Sequence, residues 1–181
     1  MRRLAIGVAA AGLVGLAAAL PLNAAMQVSP FAGAWHWNKD QSQLVPGIPV
    51  PSDIIWEIKN YAAKGSGDYS RVQSSLTITY PNGQQRVEGY TGAFDGKPYP
   101  VRGRDDGATR SYKLLPDGSL QSEFMSPKSK LPGTATCVLS DENKKMTCKG
   151  TAPDAQGNAA NFVAVFDRLV SNAEPTTTKK P

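Results

Sequence analysis

The sequence predicts a single antiparallel up-and-down β-barrel of about eight to ten strands. Apolar and polar residues alternate in short segments, as they do in strands with one buried face. Turn residues separate these segments at nearly regular intervals, and apart from the N-terminal apolar run no long segment keeps a helical period. The 14 prolines and 17 glycines fall mainly between the segments, as an all-β fold requires. Consecutive hairpins favour a sheet that closes on itself and has no exposed edge; a two-sheet sandwich is the alternative.

Residues 1–25 have the features of a secretory signal peptide. Two arginines precede an apolar run, and small residues follow it, which is the usual order of a charged start, an apolar stretch and a cleavage site. Cleavage after Ala24 or Ala25 fits this order, and an uncleaved membrane anchor is the alternative. We therefore expect a soluble protein that is periplasmic or secreted, with residues 26–171 forming one barrel domain.

The mature protein is expected to be only mildly basic. The chain has 20 Lys and Arg against 15 Asp and Glu, a net charge of +5, and loss of Arg2 and Arg3 with the signal leaves +3. Two of the remaining lysines lie in the tail 172–181, whose Pro, Thr and Lys composition is typical of disorder. Nucleic-acid binding needs a clustered positive face. We expect neither a nucleic-acid partner nor, after removal of the signal, a membrane partner.

The Asn82-Gly83 pair predicts a two-residue hairpin turn, because both residues tolerate a positive φ. Direct pairing around this turn sets Ile78 opposite Val87 on the inner face of the sheet. Glu88 would then lie on the outer face, as the alternation also predicts for Glu57. Neither glutamate is placed for the paired-carboxylate chemistry of a glycosidase, which needs two carboxyl groups converging on a cleft.

Two further hairpins are predicted from their turns. Pro116-Asp117-Gly118 fits a type I turn with a glycine bulge, which sets Leu114 opposite Leu120. A four-residue turn at residues 141–144 sets Cys137 opposite Cys148. Facing cysteines on adjacent strands can bridge, and two cysteines in an exported chain are most simply a disulfide. We expect a structural disulfide here.

One end of the barrel is expected to be closed by a tryptophan and an arginine. Gly33 and Trp35 open the first strand of the mature chain, and Arg168 closes the last. A guanidinium stacked on an indole is worth about 0.5–2 kcal/mol. This arrangement resembles the closed end of small barrels of the calycin and lipocalin kind, and the resemblance implies that Trp35 lies against Arg168 at this end, away from any ligand.

Four segments of the chain resemble a family of exported bacterial lipocalin-like domains. These are 31–38, 41–47, 95–101 and 161–167, and the Asp-Gly-Lys-Pro-Tyr-Pro-Val run at 95–101 is the most specific of them. The likeness covers about residues 30–169. It implies a lipocalin-like, calycin-type barrel and export, and it implies neither an activity nor a ligand, since the family is largely uncharacterised.

The residues usual in catalysis and metal binding are scarce. His36 is the one histidine, and it should point outward if its two tryptophan neighbours point inward. With both cysteines oxidised, zinc and haem lack ligands, and a serine nucleophile lacks a base. Asp105 and Asp106 lie in the mixed-charge loop Arg102–Arg110, which we expect to be hydrated. We therefore predict no enzyme activity, no metal and no cofactor.

Aromatic side chains on the predicted inner faces either fill the barrel or line a small-molecule site, since a small barrel has room for only one of the two. The leading hypothesis is a binding protein for a small, mostly apolar molecule. The alternative is a protein-interaction module, such as an inhibitor of a secreted hydrolase. Its contact surface would be the Arg102–Arg110 loop and the proline-bearing segment Gln41–Ser52, which is expected to cross the barrel outside the sheet. The predicted ligand-binding residues are Trp37, Trp56, Tyr80, Tyr90, Tyr112 and Phe124.

Overall fold

A computed structural model of the chain describes residues 29–61 and 71–169. The predicted signal peptide and the predicted tail lie outside these residues. Within them, ten strands form one closed barrel in which each strand pairs antiparallel with the next and the first pairs with the last. The strands are β1 (Gly33–Trp37), β2 (Asp53–Tyr61), β3 (Arg71–Thr79), β4 (Gln85–Ala93), β5 (Tyr99–Arg102), β6 (Thr109–Leu114), β7 (Leu120–Met125), β8 (Gly133–Leu139), β9 (Lys145–Pro153) and β10 (Ala159–Leu169).

The barrel confirms the predicted all-β, up-and-down architecture, and the sandwich alternative is wrong. Its core comes from alternate strand positions, such as Trp56 and Ile58 on β2, whose inward side chains form one buried apolar cluster. In the described part of the chain the helical content is two single turns, at Lys39–Gln41 and Asp141–Asn143. None of the helices described there is long and apolar enough to cross a membrane.

Two of the predicted hairpins are confirmed in register. Leu114 lies opposite Leu120, and Cys137 lies opposite Cys148, to which it is joined by a disulfide. The β6–β7 turn has the predicted glycine bulge, with Gly118 at φ +83°. A disulfide between neighbouring strands fits an oxidising compartment outside the cytosol.

The predicted register of the β3–β4 hairpin is wrong by one residue. Ile78 lies opposite Arg86 rather than Val87. The turn has three residues, closed by the amide of Gly83 donating to Tyr80 O at 2.9 Å, with Gly83 at φ +81°. A one-residue slip exchanges the two faces of a strand. Val87 is therefore half exposed on the outside, and Glu88 is buried inside the barrel.

The segment Gln41–Ser52 crosses from β10 to the start of β2 at one end of the barrel. Its prolines predict a segment that lies outside the sheet, and this is wrong for one residue. Gln43 and Val163 of β10 exchange backbone hydrogen bonds in both directions. Val45 is buried, and a Cβ added at Gly47 would lie 3.0 Å from the Cβ of Ala155 in the β9–β10 turn. The segment is thus packed against the barrel.

Trp35 and Arg168 close the opposite end, as predicted. The Arg168 Cζ lies 4.1 Å from the centroid of the Trp35 ring, and Trp35 is fully buried. Arg168 also donates from Nε to Asn143 O at 2.6 Å, from Nη1 to Ala32 O at 2.7 Å and from Nη2 to Pro30 O at 2.7 Å. The guanidinium therefore joins the chain before β1 to the β8–β9 turn.

A glycine is required beside this guanidinium. Gly33 has φ +141°, and a Cβ at this position would lie 2.5 Å from Arg168 Nη1. Any larger residue would both strain the backbone and displace the arginine. The Gly-x-Trp spacing of the first strand is explained by this contact.

Candidate functional site

A pocket of about 260 Å³ is lined by residues from seven of the ten strands. Its walls are mostly aromatic and aliphatic, and they include both cysteines of the disulfide. An engineered apolar cavity of about 150 Å³ holds benzene, so this pocket has room for roughly ten non-hydrogen atoms by that scale. The lining residues are Trp56, Leu76, Arg110, Tyr112, Ser122, Phe124, Gly133, Thr134, Ala135, Cys137, Cys148, Ala152, Phe162, Ala164 and Phe166.

Three of the six predicted ligand-binding residues line this pocket: Trp56, Tyr112 and Phe124. The Trp56 ring stacks on Tyr112 with centroids 6.2 Å apart and meets the edge of Phe166 at 5.6 Å. Tyr112 Oη lies 3.4 Å from Ser74 Oγ. These contacts hold the aromatic wall in place from β2, β3, β6 and β10.

The other three predicted residues lie elsewhere. Trp37 is buried beneath the crossing segment, where it lines a separate groove of about 280 Å³. Tyr90 is packed between Tyr112 and Tyr99, with ring centroids 4.7 and 5.8 Å away, and its hydroxyl donates to Ala93 O. Tyr80 directly follows β3 in the β3–β4 turn, and the Arg86 guanidinium lies 5.9 Å from its ring.

Two indole N–H groups are buried without a hydrogen-bond partner among the described residues: Trp37 Nε1 and Trp56 Nε1. A buried donor that makes no hydrogen bond costs about 1–3 kcal/mol, and such groups are rare in folded proteins. Trp35 differs, because its Nε1 donates to Phe31 O at 2.9 Å. The Trp56 side chain also lines the pocket, but its Nε1 atom is buried and does not face the pocket space.

Charged side chains meet beside the pocket in what we call the arginine cluster: Arg86, Glu88, Arg104, Asp106 and Arg110. Glu88, whose side chain is 3% exposed, forms ion pairs with all three guanidiniums. Arg104 Nη1 and Arg86 Nε lie 3.1 and 3.2 Å from Oε1, and Arg110 Nη2 lies 3.2 Å from Oε2. The prediction that Glu88 faces outward is wrong because of the hairpin slip.

The β5–β6 loop contributes to this cluster, which corrects the expectation that it is simply hydrated. Arg104 donates to both carboxylate oxygens of Asp106, at 3.1 and 2.5 Å, and Ser126 Oγ donates to the same carboxylate at 2.8 Å. These bonds hold the pKa of Asp106 well below its usual value, and the pKa of Arg104 above its own. Asp105, the neighbouring acid, is exposed.

The cluster and the pocket share Arg110, and Phe124 of the pocket wall packs against the cluster. The Cζ atoms of Arg104 and Arg110 lie 5.0 and 5.2 Å from the centroid of the Phe124 ring, in cation–π contact. The β5–β6 and β7–β8 connections supply Arg104, Asp106 and the partner Ser126. In an alternating up-and-down barrel these connections lie at the end opposite Trp35 and Arg168.

The Asp-Gly-Lys-Pro-Tyr-Pro-Val run forms a rigid turn away from the pocket. Asp95 Oδ1 accepts from the amide of Lys97 at 3.0 Å, and Oδ2 accepts from the Tyr99 hydroxyl at 2.9 Å. These bonds lower the pKa of Asp95, while the carboxylate raises that of Tyr99. The conspicuous motif is thus structural, because it anchors Tyr99 against Tyr90.

His36 points outward, as predicted from its position between two inward tryptophans. Its side chain is 49% exposed, and Nε2 lies 2.8 Å from Asp53 Oδ1, a partner that the sequence did not indicate. In the described residues, no group of three or more His, Cys, Asp or Glu side chains is placed to hold a metal ion.

The arginine cluster was not predicted from the sequence, although the sequence contains a signal for it. Pro81-Asn82-Gly83 has the same spacing as Pro116-Asp117-Gly118, for which the glycine-bulge turn was correctly predicted. Applying that turn to both hairpins places Glu88 inside the barrel.

Comparison with models of known protein families and with curated proteins finds no match to this chain. The function must therefore be argued from the site itself.

Proposed function

We propose that this protein is an exported lipocalin-like binding protein that holds one small, mostly apolar molecule in the barrel pocket. The observation that carries the proposal is the pocket of about 260 Å³, whose wall is mostly aromatic and aliphatic and includes a few polar groups such as Arg110. An apolar wall with a few polar groups is the usual composition of a small-molecule site. The predicted signal peptide and the resemblance at residues 31–38 and 95–101 support the same assignment.

The pocket volume limits both the size of the ligand and its affinity. A molecule of roughly ten non-hydrogen atoms needs about 0.8 kcal/mol per atom to bind with a Kd near 1 μM. This figure lies between the value typical of drug-sized ligands and the ceiling for very small ones. Micromolar binding is therefore reachable without any contact beyond the pocket walls.

Octanamide is a suitable first probe, since it is neutral, has roughly ten non-hydrogen atoms and carries an apolar chain with one polar end. Titration followed by tryptophan fluorescence and calorimetry should show saturable 1:1 binding. Ala164→Leu fills the pocket from β10 and should abolish the binding. Val138→Leu enlarges a side chain on the outer face, where Val138 is 49% exposed, and should leave it unchanged. Equal behaviour of the two variants would refute binding at this site.

The protein-interaction alternative is supported by one feature of the crossing segment. Ile48 and Val50 are 37% and 48% exposed there, so they offer apolar contacts to a partner. The Arg102–Arg110 loop is a poorer contact surface, because Arg104 and Asp106 are already bonded to each other. Loss of binding to a secreted hydrolase in an Ile48→Ser/Val50→Ser variant would favour this alternative.

The proposal is for a binding protein rather than an enzyme. His36 is the one histidine of the chain, and it lies outside the barrel against Asp53. A general base must reach the reacting group, and this imidazole cannot reach the pocket through the sheet.

A further inference from the structure

Arg110 is the one charged side chain among the pocket-lining residues. It lies on β6 two residues before Tyr112, so both side chains point into the barrel. Its own side chain is 14% exposed. A guanidinium removed from water in this way requires a counter-charge or a full set of acceptors.

The counter-charge available to Arg110 is incomplete. The arginine cluster contains three guanidiniums and two carboxylates, which leaves one positive charge in excess. Asp106 is engaged by Arg104 through two hydrogen bonds, and Arg86 is 43% exposed and can be hydrated. Arg110 also hydrogen-bonds the neutral Tyr112 side chain, so its counter-charge within the cluster comes from Glu88, whose single charge it shares with the other two arginines.

We propose that the ligand of this pocket is a monoanion whose charged group binds Arg110 and whose apolar body contacts Trp56 and Phe166. This inference rests on the proposed function and adds the chemical class of the ligand. A cation would be repelled by the three guanidiniums, and the Phe124 face that could attract it is already covered by Arg104 and Arg110. A neutral molecule would leave the excess charge of the cluster unchanged.

A carboxylate is the anion that fits this site best. Guanidinium and carboxylate are planar and can form two parallel hydrogen bonds, which suits a single arginine at the edge of an apolar pocket. The pocket volume fits a body of six to eight carbons, about the size of octanoate.

Octanoate and octanamide form a matched pair that separates charge from shape. Because charge-assisted hydrogen bonds are stronger than neutral ones, we expect octanoate to bind at least tenfold more tightly than octanamide at pH 7 and low salt. The preference should shrink at high salt, since screening weakens the charge term. Calorimetry of both probes with the unmodified protein measures this ratio without any variant.

The role of Arg110 is tested by a charge-balanced variant, Arg110→Gln/Glu88→Gln. It removes one charge of each sign, so no buried carboxylate loses its partner, and thermal melting verifies that it folds. The preference for octanoate should disappear while octanamide binding persists. Glu88→Gln alone should increase the preference, because it removes the carboxylate that competes for Arg110. The outer-face variant Arg102→Gln, at an exposed position, should keep the ratio of the unmodified protein.

The outcomes are distinguishable. Equal affinity for the two probes overturns the monoanion proposal and leaves the apolar binding function intact. A preference that survives in the double variant overturns the assignment to Arg110. Failure of both probes to bind refutes the proposed function together with this inference.

Discussion

Replacing Arg168 by methionine is the sharpest test of how the barrel is closed. The substitution keeps an apolar stem against Trp35 but removes the cation and all three hydrogen bonds to Pro30, Ala32 and Asn143. Because Trp35 is fully buried, the cation–π contact should be near the upper part of its range, about 1–2 kcal/mol. The bond to Ala32 O is partly buried, while the other two are exposed and contribute less.

The loss of these contacts in Arg168→Met should together lower the free energy of unfolding by about 3 kcal/mol. With a urea dependence of about 1.5–2 kcal/mol per molar, the midpoint should fall by about 1.5–2 M. Urea titration followed by tryptophan fluorescence measures this shift. The urea midpoint of Arg168→Lys should lie between those of the unmodified protein and Arg168→Met, because a single ammonium keeps the cation but cannot reach all three carbonyls.

The matched control is Arg102→Met, at an exposed position whose Nη2 donates to Thr91 Oγ1 at 2.9 Å. This loss should change the free energy of unfolding by less than about 0.5 kcal/mol. If Arg168→Met costs no more than the control, the guanidinium does not close the barrel.

Three further predictions concern the register, the disulfide and the arginine cluster. Val87→Glu should change stability by less than about 0.5 kcal/mol, whereas Glu88→Val should cost about 3 kcal/mol or more because it leaves buried guanidiniums without their partner; the reverse order in urea titrations would contradict the slipped hairpin. Cys137→Ala/Cys148→Ala opens a loop with a sequence separation of 11 and should cost about 3 kcal/mol on the chain-entropy estimate, so thermal melting under oxidising conditions should show a clear loss. Asp106 has a lowered pKa, owing first to Arg104 and then to Ser126, so its stabilisation is complete above the unfolded pKa of about 4 and is lost as the pH falls towards the folded one. Asp106→Asn should therefore make the free energy of unfolding less dependent on pH below about pH 4, and an equally steep loss in both proteins would exclude this role.

The barrel was predictable because its determinants are local. Alternation in segments such as Ile54–Ile58 identifies strands, and the turn residues at 116–118 and 141–144 identify how those strands connect. The two cysteines added an independent measure of register, since Cys137 and Cys148 can form a disulfide only when their strands are aligned. The Trp35–Arg168 contact was predicted because Gly33 and Trp35 in the first strand and Arg168 in the last resemble the closed end of a lipocalin-like barrel.

The site was less predictable because it depends on contacts between distant segments. Trp56, Tyr112 and Phe124 were placed at the pocket, but the alternation pattern treats every inward aromatic alike. It could not distinguish them from Tyr90, which packs between two other tyrosines. The volume left between β2, β6 and β10 is a property of the closed barrel and has no local sequence signal.

The cluster was missed for a different physical reason. The β3–β4 turn was interpreted with two residues instead of three, and a strand slipped by one residue exchanges its faces. The two-residue turn also agrees with the usual burial of apolar and charged side chains, because it places Val87 inside the barrel and Glu88 in water. The error therefore came from choosing the arrangement with the more apolar interior.

Glu88 and Arg110 occupy inward positions where apolar side chains would serve stability at least as well. Replacing a buried ion pair with well-packed apolar residues is often neutral or stabilising, so packing alone does not account for charges here. Departures from the consistent pattern of a fold are expected at functional sites. Arg110 lies where the cluster meets the pocket wall, within the same set of lining residues as Trp56. A charged side chain in an otherwise apolar wall is explained by an amphipathic ligand with an anionic group, and it is not explained by a barrel that is merely filled.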